Sequence, residues 1–206
     1  MIFDLLNNRI SPLYFIYFII SLLISLTFHE LCHAYTSFKL GDSTAKIDGR
    51  ISLNPLHHID PYGFLAILII GFGWAKPVMM NPYNFKNYRD GIFFTALAGP
   101  LSNLVLAITG MLFFNLDLPL FAQEFLGVFV NINIILASFN ILPIPPLDGY
   151  KVFSRILSDK MYFQAEYYER RYGFIILMVL LISGILRTIW FPVYNFMLNI
   201  VSLFLF

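Results

Sequence analysis

Uncharged apolar runs alternate with short polar connections along this chain, and the runs predict its architecture. After a mixed-polarity leader with Asp4 and Arg9, no residue from Ile10 to Phe28 is charged. The apolar pattern then resumes as far as Leu40, with Lys39 and Gly41 closing it. A membrane-crossing helix needs ~20 apolar residues, so this run predicts a first span. Residues 42–60 are polar and turn-rich, and within them Ala45-Lys46-Ile47 and Arg50-Ile51-Ser52-Leu53 flank Asp48-Gly49, which predicts a small β-hairpin. The apolar run between Asp60-Pro61 and Lys76-Pro77 has only about 15 residues, marginal for a span and suited to a re-entrant or interfacial segment, and the pattern leaves both open. From Lys76 to Pro82 the chain is predicted extended, because proline disfavours helix in the residue before it. Gly91–Leu116 and Phe125–Leu142, separated by Asp117 and Pro119, predict two further spans. A charged amphipathic stretch at 151–171 precedes two last apolar segments, Tyr172–Leu186 and Trp190–Phe206, broken by Arg187 and Pro192. The expectation is an all-α polytopic bundle of five or six membrane segments, with a small β-hairpin or re-entrant element near the cytoplasmic side. No repeat, linker or second domain is visible, so residues 1–206 read as one integral-membrane domain.

Composition agrees with a lipid environment. The chain is 59% hydrophobic and 12% charged, against about 25% charged in a soluble domain, and its mean hydropathy is +0.75. A net charge of +1, with no basic tract and no glycine-rich phosphate loop, gives no sign of nucleic-acid binding. One cysteine excludes an internal disulfide framework. The N-terminal apolar stretch has no small-residue cleavage site and does not read as a removable signal. If the first span runs from outside to inside, the inner loops hold Lys39, Lys46, Arg50, Lys86, Arg89, Lys151, Arg155, Lys160, Arg170 and Arg171. Arg9 and Arg187 fall on the other face, and Lys76 is ambiguous. That bias predicts a cytoplasmic location for residues 39–60 and 151–171.

The chemistry is carried by His29-Glu30-Leu31-Cys32-His33, late in the first run. On a helix, residues four apart lie about 40° apart on one face, so His29 and His33 can offer two imidazoles to one zinc ion. Glu30, on the next position round, can reach a water on that metal as general base. A catalytic zinc wants three protein ligands and an open position. The remaining histidines are His57 and His58, and the carboxylates near apolar segments are Glu30, Asp60, Asp117 and Asp148. Asp148 is the strongest third ligand: it follows a proline-stiffened turn at the end of a span and precedes Gly149, where a helix can start. An ionisable group at that depth needs a partner.

His29-Glu-Leu-Cys-His33, Ala98-Gly-Pro-Leu-Ser-Asn103 and Asn140-x-x-Pro-x-Pro-Pro-Leu-Asp148-Gly149 together resemble the site-2 protease family of intramembrane zinc metalloproteases. Ser52-Leu-Asn-Pro55, His58-Ile-Asp-Pro61 and Gly73-Trp-Ala-Lys-Pro77 are similar to its compact prokaryotic branch, without a PDZ insertion or a CBS domain. The resemblance covers roughly residues 24–153. It implies a zinc metalloendopeptidase of a prokaryotic cell membrane, with its active site towards the cytoplasm. Its substrates would be transmembrane or membrane-anchored proteins, cut in regulated intramembrane proteolysis or in clearance of signal-peptide remnants. By position, His29, His33 and Asp148 would hold one zinc per chain, Glu30 would be the base, and Asn140 and Asn103 would be supporting polar residues near the substrate. A substrate helix unwound at the site would need backbone partners, which an extended strand near Trp74–Met80 could supply by strand addition.

A different function class uses the same side chains: a membrane zinc transporter or sensor that binds the ion without proteolysis. It would offer ligands along a path and has no use for Glu30 beside them; a catalytically dead scaffold is disfavoured because all four chemical positions are filled. His57 and His58 sit in an interfacial turn and read as structural, with His58 a lesser candidate for assisting substrate or proton traffic. Cys32 reads as a small packing residue, and the aromatic excess as lipid-facing and interfacial.

Overall fold

The computed structural model describes residues 9–70 and 73–205 together with Leu5 and Asn7. Asp4 of the leader, Gly71-Phe72 inside the short apolar run, and Phe206 lie outside the described residues. Three long helices form the frame. Helix α1 spans Pro12–Lys39 and starts where the Ser11 hydroxyl accepts the Tyr14 amide at 3.1 Å, with proline at its first position. After a short helix α2 (Thr44–Ile47) and a ten-residue α3 (Pro61–Ile70), the chain enters α4 (Tyr88–Phe114) and then α5 (Leu120–Asn140). Helices α1, α4 and α5 are each long and apolar enough to cross a membrane. Leu22 of α1 packs with Val128 and Ile132 of α5, and Ala107 of α4 packs with Val130 and Ile134 of α5. These contacts make one bundle.

Three more helices complete it: α6 (Asp148–Ser154), α7 (Asp159–Ile182) and α8 (Ile185–Ser202). The axes of α7 and α8 bend by 88° at their junction. The first half of α7 lies against the start of α4, where the Tyr88 hydroxyl donates to Glu166 at 2.9 Å and Arg89 pairs with Asp159 at 2.7 Å. Leu177 of α7 and Leu186 of α8 then share a core with Leu142, Ile144 and Leu147. Helix α8 starts beside the end of α5, where the Trp190 indole donates to the Ser138 hydroxyl at 2.9 Å. It finishes beside the end of α4, where Asn115 donates to the Phe204 carbonyl at 2.8 Å.

The all-helical expectation holds, but its detail needs correction. The helices support three spans, or four if the bent α7–α8 pair is one, not five or six. No β-hairpin forms among the described residues. Thr44–Ile47 is helical, and Asp48-Gly49 ends it: Gly49 sits at φ +68°, the Arg50 amide donates to the Ala45 carbonyl at 2.9 Å, and the Gly49 amide donates to the Lys46 carbonyl at 3.1 Å. That pair of bonds is a left-handed helix cap, for which Asp-Gly is as good a signal as for a hairpin. Nor is there a strand at 74–80, which has no regular structure.

The last break also moves. It falls at Ser183-Gly184, with Gly184 at φ +77°, while Arg187 and Pro192 lie inside α8. Arg187 therefore belongs to the end of the bundle where α5 finishes, not to the face of Arg9. The short apolar run returns on itself. Helix α3 packs Phe64 and Ile67 against Leu22 and Ile132, and the Lys76 amide then donates to the His58 carbonyl at 2.9 Å. Gly63 and Gly73 allow this return, since a Cβ on Gly63 would stand 2.0 Å from the Trp74 carbonyl oxygen and one on Gly73 would stand 2.0 Å from the Gly63 carbonyl oxygen.

Candidate metal centre

Helix α1 presents His29 and His33 one turn apart, both buried (5% and 6% exposed). Their Nε2 atoms stand 3.0 Å from each other, and Asp148 Oδ2 stands 3.2 Å from each. Asp148 reaches them from the first position of α6, which the Pro145-Pro146-Leu147 turn aims back at α1. Gly149 lets that turn close, because a Cβ there would meet the Ile141 carbonyl oxygen at 2.0 Å.

The protonation of the two rings follows from their outer nitrogens. His33 Nδ1 lies 2.6 Å from the Thr95 carbonyl oxygen, an acceptor only, so Nδ1 carries the proton. His29 Nδ1 lies 2.6 Å from Asn103 Oδ1. The Asn103 amide nitrogen is committed to the Ser25 carbonyl at 3.2 Å and Asn133 Oδ1 at 2.9 Å, so its oxygen faces His29 and Nδ1 again donates. Both Nε2 lone pairs and a carboxylate oxygen then meet at about 3 Å, an arrangement that could hold a metal ion among them.

Zinc fits the donor set. Ligand atoms around a tetrahedral ion with bonds of ~2.0 Å stand ~3.3 Å apart, and two imidazoles with one carboxylate leave the fourth position open. Among the described residues this is the one such group of three His, Cys, Asp or Glu. Imidazoles that donate Nδ1–H to fixed oxygens are the usual outer support of such a site.

The three side chains open onto a cavity of about 180 Å³ that is also lined by Glu30, Pro77, Val78, Met80, Ala96, Asn140 and Lys151. Glu30 is 8% exposed, and its carboxylate makes no hydrogen bond to another described residue. Asn140 lines the same cavity and anchors its amide on the Leu136 carbonyl at 3.0 Å. Asn103 does not reach the cavity; it is fully buried behind His29. His58 is also fully buried and outside the cavity, with Nε2 on the Ser52 carbonyl at 2.7 Å and Nδ1 without a partner. Burial, together with the neighbouring Arg50 and His57, pushes its pKa below 6.5. His57 bonds the Gly49 carbonyl at 3.0 Å, away from the metal ligands.

Sequence reasoning passed over the outer support: the Thr95 carbonyl, the Ser25 carbonyl and Asn133. Asn133 had a readable signal, as an amide within the apolar run of α5. The carbonyls had none. Gly99 belongs to the site as well, since a Cβ there would stand 2.3 Å from His33 Nε2 and 2.6 Å from His29 Nε2. Gly99 is room for the imidazoles.

Comparison with known proteins now decides the family. Residues 117–180 match the model of peptidase family M50. YwhC of Bacillus subtilis, whose name places it provisionally among the zinc metalloproteases, is 38% identical over 87% of this chain and 86% of its own. The chain belongs to peptidase family M50, the site-2 proteases. Rip2 of Mycolicibacterium smegmatis, named in the same provisional way, is 33% identical over 86% of this chain and 70% of its own. The zinc metalloprotease MJ0392 of Methanocaldococcus jannaschii is 26% identical over 98% of this chain and 50% of its own. No solved structure matches. As an M50 peptidase the protein is a zinc metalloprotease, and its helices make it an integral membrane protein.

Proposed function

We propose that this M50 peptidase cuts peptide bonds of transmembrane or membrane-anchored proteins at a site below the membrane surface, within a single domain. The observation that carries the reading is the meeting of His29, His33 and Asp148 on a cavity into which Glu30 also projects without a hydrogen-bond partner. His29, His33 and Asp148 are the zinc ligands, one ion per chain. Bound there, zinc supplies Lewis acidity, polarising a carbonyl and acidifying water.

Glu30 lies about 100° round α1 from His29, so its carboxylate serves water and substrate, not the ligand set. It takes the proton of the attacking water as oxygen adds to the scissile carbonyl. It then returns that proton to the amine as the C–N bond breaks. Asn140, on the same cavity, is a donor for the substrate. Asn103 holds the tautomer of His29, and His58 supports the loop beside the site.

The substrate must expose its backbone there, and the amides and carbonyls of Val78, Met79 and Met80 have no partner among the described residues. They receive an unwound substrate segment by strand addition. The orientation follows from charge. With Lys76 beside His58 and Arg187 at the start of α8, every lysine and arginine except Arg9 belongs to the site's end of the bundle. That end faces the cytoplasm.

The test is purified protein in detergent, challenged with a panel of single-span membrane proteins. Cleavage should stop on chelation and return with zinc. A preparation with one zinc per chain that cleaves only soluble, unfolded chains would refute the intramembrane reading.

A further inference from the structure

Two buried charged side chains in the short connection after α1 bond the chain on either side of the cavity wall, and the function proposed above uses neither. Arg50 is 4% exposed, and no carboxylate is hydrogen-bonded to it. Its guanidinium donates to three backbone carbonyls instead, those of His57, Lys76 and Pro77, the last at 2.9 Å. Its backbone is fixed by the cap on Ala45.

Asp42 is fully buried. One carboxylate oxygen accepts the Asn81 amide N–H at 2.8 Å and the Ser37 hydroxyl at 3.2 Å. The other accepts the Asn84 side-chain amide at 2.8 Å and the Thr44 hydroxyl at 2.6 Å. Burial alone would raise its pKa, but these donors outweigh burial and hold it below 3.8, so the anchor is anionic at neutral pH.

The two anchors bracket Val78, Met79 and Met80. Val78 and Met80 line the cavity with His29, Glu30 and Asp148, and the backbone of all three residues is unpaired. With no strand neighbour and no helix, nothing within this short run fixes its path. A donor fork on the carbonyls at one end and an anion on the amides at the other fix it from outside. Hydrogen bonds to charged groups are the strong ones, and a guanidinium spreads five donors over three nitrogens, so it spans carbonyls that an ammonium would have to reach from a single nitrogen.

We infer that Arg50 and Asp42 are positioning residues: they hold Val78–Met80 in place beside the metal ligands so that its free backbone groups can take the substrate. The inference rests on the strand-addition reading above, and the experiment separates the two. A transmembrane peptide substrate is made in versions N-methylated at single amides away from the scissile bond, each removing one donor. Wild type, Arg50→Met, Arg50→Lys and Asp42→Asn are compared for zinc content, KM and kcat.

In wild type at least one N-methylation raises KM about tenfold, the scale of a lost hydrogen bond in a dry site. In Arg50→Met, zinc stays at the wild-type level and KM for the unmodified peptide rises about tenfold or more, with kcat changed less. The N-methyl penalty largely disappears, because the wall no longer holds its register. Arg50→Lys and Asp42→Asn fall between, and they carry the test if Arg50→Met does not fold. If no N-methylation matters in wild type, strand addition is wrong. If it matters equally in wild type and in the zinc-loaded variants, whose KM is unchanged, the positioning role is wrong.

Discussion

Gly99→Ala adds one methyl group to α4 and should empty the metal centre. The new Cβ would stand 2.3 Å from His33 Nε2, 2.5 Å from His33 Cε1 and 2.6 Å from His29 Nε2. Ordinary contact for such atoms begins near ~3.5 Å, so the nearer ring must retreat by roughly 1 Å. It has nowhere to go. His33 Nδ1 is tied at 2.6 Å to the Thr95 carbonyl, one turn before Gly99 on the same helix, and His29 is tied at 2.6 Å to Asn103, one turn after it. Metal–ligand distances tolerate only about ±0.2 Å.

Alanine is otherwise the better helix residue, by ~1 kcal/mol, so the fold itself should survive. Loss of a single outer support costs about 10–100-fold in metal affinity, and displacing two ligands should cost at least the upper figure. The assay is zinc per chain by elemental mass spectrometry after gel filtration, with thermal unfolding and cleavage in parallel. Gly110→Ala, on the same helix as Gly99, is the control: its Cβ would meet the Val130 side chain of α5 at 2.7 Å, far from the ligands. That variant should lose about 1–3 kcal/mol from overpacking and keep its zinc. A Gly99→Ala protein with one zinc and wild-type cleavage would refute the geometry argued for the site.

Three further outcomes are expected. Asn103→Leu should weaken zinc binding about 10–100-fold with little loss of fold, as read by zinc titration against a chromophoric chelator. His58→Gln, which keeps a donor for the Ser52 carbonyl, should flatten the acid side of the stability profile. The folded pKa of His58 lies below 6.5, so the unfolded chain binds the extra proton and stability falls as pH drops through 6.5; wild type should lose more of its unfolding temperature between pH 7.5 and 5.5 than the variant does. A cysteine at Ser43 in a Cys32→Ser background should resist impermeant thiol reagents on intact cells, and labelling there as readily as after lysis would invert the orientation.

How much of this was legible depended on the range of the interactions. Helices α1, α4 and α5 could be read because uncharged runs of span length have few other fates. The hairpin at Asp48-Gly49 was misread because the same dipeptide caps a helix. What tips the balance is Asp42, which takes the Thr44 amide at 3.1 Å and starts a turn of helix there. The division of the last helices was misread because Arg187 looked like a boundary. Ser183-Gly184, a left-handed glycine, was the physical one.

At the site, the spacing of His29 and His33 is local and readable. The support of His33 by a carbonyl 62 residues away, and of His29 by an amide 74 residues away, leaves no local mark. The anchoring by Arg50 is equally remote, since a lone arginine among polar residues reads as solvated surface. The structure buries it.

The central claim is that Glu30 moves the proton while His29, His33 and Asp148 hold the metal, and Glu30→Gln tests it most directly. The substitution keeps size and hydrogen-bonding capacity and removes the proton-accepting carboxylate. Zinc per chain should stay at the wild-type value, and single-turnover cleavage of a transmembrane substrate should fall by roughly 10²–10⁴-fold, with uncleaved substrate co-purifying. Cleavage at the wild-type rate by the zinc-loaded variant would contradict the account.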